Sequence, residues 1–231
     1  MTTTALITGA SRGLGLALAK TLAEKKWNLI IDARGQEALE QARQELSKYA
    51  EVVAIPGSVS DENHLQNLVE AAKKLGGLDV LVNNASILGV SPQPTLANYP
   101  LDVLGQVYKV NVYAPLRLMQ LALPTFRANA GLINISSDAG IEGYGGWGGY
   151  GSSKAALEHL SKVFAAEHPE LRVYWLDPGD MNTTLHQEAF PGEDISDRPL
   201  PEASVPGLLH LIENNLPSGR YKAREMLEVT A

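Results

Sequence analysis

Cysteine is missing altogether from the 231 residues. That excludes a disulfide framework, a thiolate nucleophile and any zinc or iron–sulfur site held by cysteine. Charge is scarce too: Asp, Glu, Lys and Arg make up 19% of the chain, against about 25% in an average globular domain. A disordered chain needs the opposite balance. What charge there is leans acidic, with 19 Lys+Arg against 26 Asp+Glu and a net −7. Nucleic acid and anionic membrane surfaces are therefore not expected partners. No run of about 18 apolar residues is present, the length a spanning helix needs. The opening MTTTALITGASRG lacks the basic and apolar segments of a secretory signal, so a cytoplasmic location is expected. Linkers, blocks of like charge and internal repeats are also absent.

Several chemistries drop out in the same way. There is no Gly-x-Ser-x-Gly elbow, and Gly151 occupies the position that would complete Ser-x-x-Lys. His64, His159, His168, His186 and His210 have no ligand-like spacing, so no metal is expected and surface or packing roles are the default. The glycine turn near the start lacks the Lys-Ser/Thr ending of a P-loop.

What remains is an alternation of short apolar runs with helical patterns. The runs are Ala5–Thr8, Asn28–Asp32, Val52–Ile55, Asp79–Val82, Leu132–Ser136, Arg172–Leu176 and a last one near Arg220–Tyr221. Most are continuously apolar, as strands buried on both faces of a parallel sheet are. Between them, Leu14, Leu18, Ala19 and Leu22 form one helical stripe, and Leu65, Leu68, Val69 and Ala72 another. One α/β domain over 1–231 is expected: a doubly wound parallel sheet of about seven strands with helices on both faces. The loosest regions are 89–100, the Gly-rich 140–151 and 181–201. The last is expected to form a substrate loop.

Ala5–Thr8 runs straight into TGASRGLG and a helix. In parallel α/β sheets the first strand-to-helix turn is where a dinucleotide pyrophosphate docks. Gly9 permits a tight exit from the strand, Gly13 a close backbone approach to phosphate, and Gly15 close helix–sheet packing. Ser11, Arg12 and Leu14 complete a turn whose free N–H groups face the phosphates. A plain βα turn would use glycine as well, so this signal alone is modest.

The spacing Thr8-Gly9-x-x-x-Gly13-x-Gly15 resembles the short-chain dehydrogenase/reductase family, which has a Rossmann-like fold. Further motifs follow in that family's order. Asn83-Asn84-Ala85 resembles its Asn-Asn-Ala-Gly segment beside the cofactor, with Ser86 in place of the usual Gly. Asn111 matches its active-site Asn. Ser137 lies thirteen residues before Tyr150, the family's interval, and Tyr150-Gly-Ser-Ser-Lys154 is its Tyr-x-x-x-Lys pair. Asp177-Pro178-Gly179 with Thr183 resembles the segment contacting the nicotinamide half. The resemblance implies an NAD(P)-dependent oxidoreductase acting on a carbonyl or alcohol. Asn111, Ser137, Tyr150 and Lys154 would be catalytic. Gly9, Ser11, Arg12, Gly13, Leu14, Gly15, Arg34, Asn84, Ala85, Tyr150, Lys154, Pro178, Gly179 and Thr183 would bind the cofactor.

These residue types suit hydride transfer to a ketone. A tyrosine hydroxyl is a poor acid/base at neutral pH until its anion is stabilised. Tyr150 and Lys154 are four apart and share a helix face, so the ammonium is expected to draw the tyrosine towards the physiological range. Ser137 would hydrogen-bond the substrate oxygen, Lys154 would also hold the nicotinamide ribose, and Asn111, by resemblance, would position a water. Taken singly, each residue has a structural reading: a helix-face pair, a strand-end serine, a capping asparagine.

Cofactor choice turns on the end of the second strand. An acid about 20 residues past the glycines selects NAD through the ribose hydroxyl, and Asp32 lies there. In the family pattern, however, that position falls on Ala33. Arg34 then meets the 2′-phosphate of NADP together with Arg12, so NADP is expected and NAD remains possible. Asp32 would otherwise cap the following helix. The substrate walls are expected from 86–90, from 140–149 with Tyr144 and Trp147, and from 181–201 with Leu185 and Phe190. They suit a partly apolar small-molecule carbonyl or alcohol. The glycines of 140–151 imply either a loop that closes over substrate or a plain connection. A cofactor-binding regulator with little turnover is the alternative function, and an NAD-dependent alcohol dehydrogenase the alternative chemistry. The helices after Asn111 and Tyr150 are apolar enough for a homodimer or homotetramer.

Overall fold

The structure, a computed structural model, describes residues 2–226. The chain alternates as expected: β1 Thr4–Ile7, α1 Gly13–Glu24, β2 Asn28–Ala33, α2 Gln36–Leu46, β3 Val52–Pro56, α3 Glu62–Lys74 and β4 Leu78–Asn83. Then come α4 Leu101–Tyr108, a π turn at Lys109–Tyr113, α5 Ala114–Ala122, β5 Phe126–Ile135, α6 Gly148–Glu167, β6 Arg172–Asp177, α7 Thr184–Ala189, α8 Val205–Glu213 and β7 Gly219–Lys222. The seven strands form one sheet in the order β3-β2-β1-β4-β5-β6-β7, with every neighbouring pair parallel.

Side chains alternate across the sheet, so each strand feeds two cores. Ala5 and Ile7 pack with Leu29 and Ile31 under α1, α2 and α8. Leu6 and Ile30 face the other way, against Leu68 of α3, Leu118 and Met119 of α5, and Phe164 of α6. Continuously apolar strands are the direct consequence of this two-sided burial. None of the described helices is long and apolar enough to cross a membrane.

One strand differs from its sequence pattern. β5 begins at Phe126, well before the expected Leu132, and its register against β4 shifts between Leu78 and Val80. Ala128 and Asn129 there are exposed, and Asn129 has φ 61°. This first stretch therefore carries no apolar signal. Arg127 holds it in place, pairing with Asp79 at 2.6 Å and donating to the carbonyls of Thr2, Leu75 and Gly76.

Strand order reverses on either side of β1, between β2 and β4. Loops leaving the carboxyl ends of β1 and β4 diverge there, which is where such sheets open a ligand crevice.

Candidate active site

A cleft of about 1100 Å³ runs across these carboxyl ends. Its floor is a hydrogen-bonded junction between the first and fourth strands. Thr8 Oγ1 accepts from the backbone N–H groups of Asn84 and Ala85, each at 3.0 Å. Asn84 Nδ2 returns two bonds, to the carbonyls of Thr8 at 2.8 Å and Gly9 at 3.1 Å. Gly9 turns out of the strand with φ 67°. A Cβ on Gly15 would come within 2.6 Å of Asn84 Nδ2 and 2.7 Å of the Gly9 carbonyl, so glycine is what lets α1 approach the turn. The start of α1 has no side-chain cap, which leaves its first N–H groups for an anion. Asn83, next to Asn84, points instead into the sheet, donating to Asn134 at 2.7 Å.

Asp32 neither caps α2, whose N-cap is Gly35, nor offers a free oxygen to a ribose. It is 1% exposed. Oδ1 accepts from Gly9 N at 2.7 Å, and Oδ2 lies 2.8 Å from His64 Nε2. His64 is correspondingly buried, a partner to Asp32 rather than a surface residue. Arg12 and Arg34 line the cleft together with Ala33. Among the described residues no carboxylate pairs with either guanidinium.

Further along, Ser137, Tyr150 and Lys154 converge in the lining. Tyr150 and Lys154 sit one turn apart on α6, with Nζ 5.3 Å from the tyrosine ring. Lys154 Nζ donates to the Ile135 carbonyl at 2.7 Å. Burial lowers its pKa from the ordinary 10.5 to about 7, and the Glu158 carboxylate opposes that shift. Burial also pushes the Tyr150 phenol well above the usual tyrosine range; the Ser86 hydroxyl beside it pulls down, while Asp177 and Asp138 push up. The expected drop in the tyrosine pKa is therefore not what the protein groups produce. Desolvation is the largest cause of that rise. Ser137 Oγ donates to Asp138 Oδ1 at 2.9 Å, and Tyr144 holds the other oxygen of Asp138 at 3.0 Å.

Asn111 stands behind this lining, at the centre of the π turn. It accepts from Ile87 N at 2.9 Å and Ser86 Oγ at 3.1 Å, and donates to the Ile87 carbonyl at 2.9 Å and Ser153 Oγ at 3.0 Å. Both donors and both lone pairs of its amide are engaged, so its side chain braces the site and only its backbone is left for a water. Ser86 is thus useful where a glycine would be silent: its hydroxyl donates to Asn111 and lessens the rise in the tyrosine pKa.

Beneath the lysine lies a charge network that motif reading did not reveal. Glu158 Oε1 accepts from Ser136 Oγ at 2.6 Å and from Arg220 Nε at 3.0 Å. Arg220 Nη2 reaches Asp177 Oδ2 and the Ser137 carbonyl, each at 3.3 Å. One guanidinium thereby ties α6 to the ends of β5 and β6. Glu158, four residues after Lys154 on the same helix face, was findable by spacing; Arg220 was not. Gly179 (φ 75°) bonds Asp177 Oδ1 at 2.9 Å, and Thr183 caps α7 through His186 N at 3.2 Å. Ser11, Gly13, Leu14, Ala85 and Pro178 line the cleft as expected.

The glycines of 140–151 divide by cause. Gly148–Gly151 already belong to α6, and a Cβ on Gly148 or Gly149 would overlap Leu96 or Tyr99. A Cβ on Gly151 would lie 2.5 Å from the Ala139 carbonyl. Packing, rather than mobility, demands glycine at 149 and 151, whereas the exposed Leu96 side chain could yield at 148. Only Gly143 and Gly145 face open space.

Two measurements follow from this arrangement. Arg220→Ala leaves Glu158 and Asp177 without their cation and should cost about 2–4 kcal/mol of unfolding free energy in urea; an unchanged midpoint would show the network idle. Lys154 gives a pH signature. Between its ordinary 10.5 and its lowered value of about 7, the unfolded chain holds a proton that the folded chain does not. Folded stability therefore falls as pH drops through that window, by at most about 1.4 kcal/mol per unit. Lys154→Met lacks this term, so its stability relative to the parent should improve from pH 10 to pH 7. Parallel curves would rule out a depressed lysine.

Comparison with known proteins agrees with the geometry. Residues 3–194 match the family model for short chain dehydrogenase. A rhamnolipid-biosynthesis 3-oxoacyl-acyl-carrier-protein reductase of Pseudomonas aeruginosa is 39% identical over 171 residues, which is 71% of this chain and 66% of that protein. Sepiapterin reductase of Bos taurus is 36% identical over 203 residues, 81% of this chain and 76% of that one. An alcohol dehydrogenase of Thermococcus sibiricus, solved with 5-hydroxy-NADP, superposes with a TM-score of 0.86 at 26% identity, covering 96% of each chain. On these matches the chain belongs to the short-chain dehydrogenase/reductase family of oxidoreductases.

Proposed function

We propose that this oxidoreductase reduces the carbonyl group of a small molecule with NADPH, using Tyr150 as the proton donor. The observation that carries the reading is a buried phenol beside Lys154 and Ser137, in the same cleft as Arg12 and Arg34, with which no carboxylate among the described residues pairs. The positive-φ turn at Gly9 and the uncapped start of α1 fit a pyrophosphate. Arg12 and Arg34 fit a 2′-phosphate, and the Thermococcus relative was solved with an NADP derivative. Because both oxygens of Asp32 are engaged within the protein, an NAD-selecting role for it has no support, and Ala33 offers no acid in its place.

When bound, the nicotinamide supplies the hydride. The chain's own groups handle the proton and the developing charge. Tyr150 Oη donates its proton to the carbonyl oxygen. Ser137 Oγ, released from Asp138, hydrogen-bonds the same oxygen and aligns it. Lys154, near neutrality in its titration, turns cationic at little cost and stabilises the tyrosinate left behind. It would also hold the ribose. A phenol kept protonated is the correct starting state for reduction, whereas oxidation would need the anion. The exposed Tyr113 and Val163, near the start of α5 and on α6, support self-association of these helices into a dimer or tetramer.

Tyr150→Phe should lower turnover at least a hundredfold while NADPH affinity stays within about twofold. Near-normal turnover in that variant, read as NADPH oxidation at 340 nm, refutes the mechanism. Arg34→Ala should weaken NADPH roughly tenfold to a hundredfold and leave NADH unchanged, as judged by fluorescence titration. Equal losses for both cofactors, or a parent that prefers NADH, would move the phosphate away from Arg34.

A further inference from the structure

We infer that the substrate of this cleft is an electrically neutral ketone whose aromatic ring packs against Trp147 and Phe190, with a polar group on the ring meeting His186. The inference rests on the carbonyl-reductase reading and narrows it to a substrate class.

Three independent features of the cleft point the same way. First, a row of rings leads away from the proton donor. Trp147 stands 5.9 Å from Tyr150, edge to face at 72°, then 6.0 Å from Phe190, which lies 5.0 Å from His186. All four line the cleft. Leu185 and Ala189 of α7 pack beside Tyr150, as does Leu88. An aryl group entering beside Tyr150 would find edge-to-face and offset partners at the separations aromatic pairs prefer.

Second, His186 is 9% exposed and its Nε2 is buried without a hydrogen-bond partner. Its other nitrogen, Nδ1, looks towards Asp180 Oδ1 at 4.0 Å. A buried polar atom left unpaired is costly, and its residue lines the cleft at the far end of the ring row. A hydroxyl or similar group on the substrate ring would satisfy it once the imidazole turns towards the cleft.

Third, beyond the glycine turn the lining carries more acids than cations. Among the described residues of the lining, the cations are Arg12, Lys20 and Arg34 at the glycine-turn end, plus Lys154 beside the tyrosine. Acids line it as well: Asp32 at the glycine turn, Asp177 and Asp138 near Lys154 and Ser137, and Asp180, Glu188 and Glu202. Asp138 is held by the Ala139 N–H and Tyr144, so its charge stays beside the reacting position even when Ser137 turns to the substrate. The guanidiniums beside Asp180 are engaged, Arg198 by Asp197 and Arg224 by the Asp180 carbonyl and Ser204, and a substrate bearing a carboxylate or phosphate meets mainly like charge there. Neutral ketones do not.

The test follows NADPH oxidation with matched ketones: 1-phenyl-1,2-propanedione, its 4-hydroxyphenyl analogue, 2,3-hexanedione and the anionic benzoylformate. The phenyl dione should exceed the aliphatic dione at least tenfold in kcat/KM, and benzoylformate should be the poorest. Trp147→Ala should cut the aryl-to-aliphatic ratio about tenfold, mainly through KM, with NADPH affinity retained as proof of folding. His186→Phe should abolish any advantage of the 4-hydroxyphenyl compound over the phenyl one. Binding of the same ketones to Tyr150→Phe, followed by tryptophan fluorescence, separates the two levels. Oxidation of NADPH without ring preference, or with benzoylformate ahead, overturns this inference alone. Ring-dependent binding without oxidation by any ketone overturns the reductase reading and leaves ring recognition standing.

Discussion

The carboxyl ends of β1 and β4 are locked to each other by the side chains of Thr8 and Asn84, and the rest of the site depends on that lock. Four hydrogen bonds between adjacent parallel strands fix how far each loop may diverge. The glycine turn is held from a third side by Asp32, itself held by His64. A parallel sheet whose order reverses around β1 must open at that point. Side-chain bonds between neighbouring strand ends set the opening to a fixed width.

The chemistry then comes from controlled desolvation. Tyr150 and Lys154 lie where burial opposes ionisation of both. An exposed pair at the same helical spacing would be an ordinary tyrosine and an ordinary lysine. Burying a lysine calls for nearby negative charge, and Glu158 supplies it at one helical turn. That carboxylate is balanced in turn by Arg220, so the charge stays local and the network remains close to neutral.

Much of this was legible in the sequence because it is written in local order. Buried parallel strands are apolar throughout, and the runs fell within a residue or two of the strands everywhere except at β5, whose exposed, kinked entry has no apolar signature. The motif residues reached one cleft because each lies at a strand end or on the helix that follows. What stayed hidden depends on register between strands distant in sequence. His64 meets Asp32 only because α3 packs beside β2, and Arg220 meets Glu158 and Asp177 only because β7 pairs with β6. The reading of Asp32 was left open by a one-residue ambiguity at a strand end, which only the direction of the side chain could resolve. The lysine–tyrosine expectation erred for a different reason: spacing reveals proximity but says nothing about water, and here the loss of water dominates.

The π turn at Lys109–Tyr113 joins α4 to α5 without a break in the helical path. Such a turn is an α-helix with one residue inserted. Removing any one of its five residues would restore ordinary helix and rotate everything on one side of it by about 100°. Either Leu118, Met119 and Ala122 would leave the sheet they pack on, or Asn111 would swing away from Ile87 and Ser153. The surplus residue is what lets one continuous helix face the hydrophobic core with one half and aim an amide at the cleft wall with the other. Segment length here is as constrained as residue identity, and a deletion that no motif search would register would undo both.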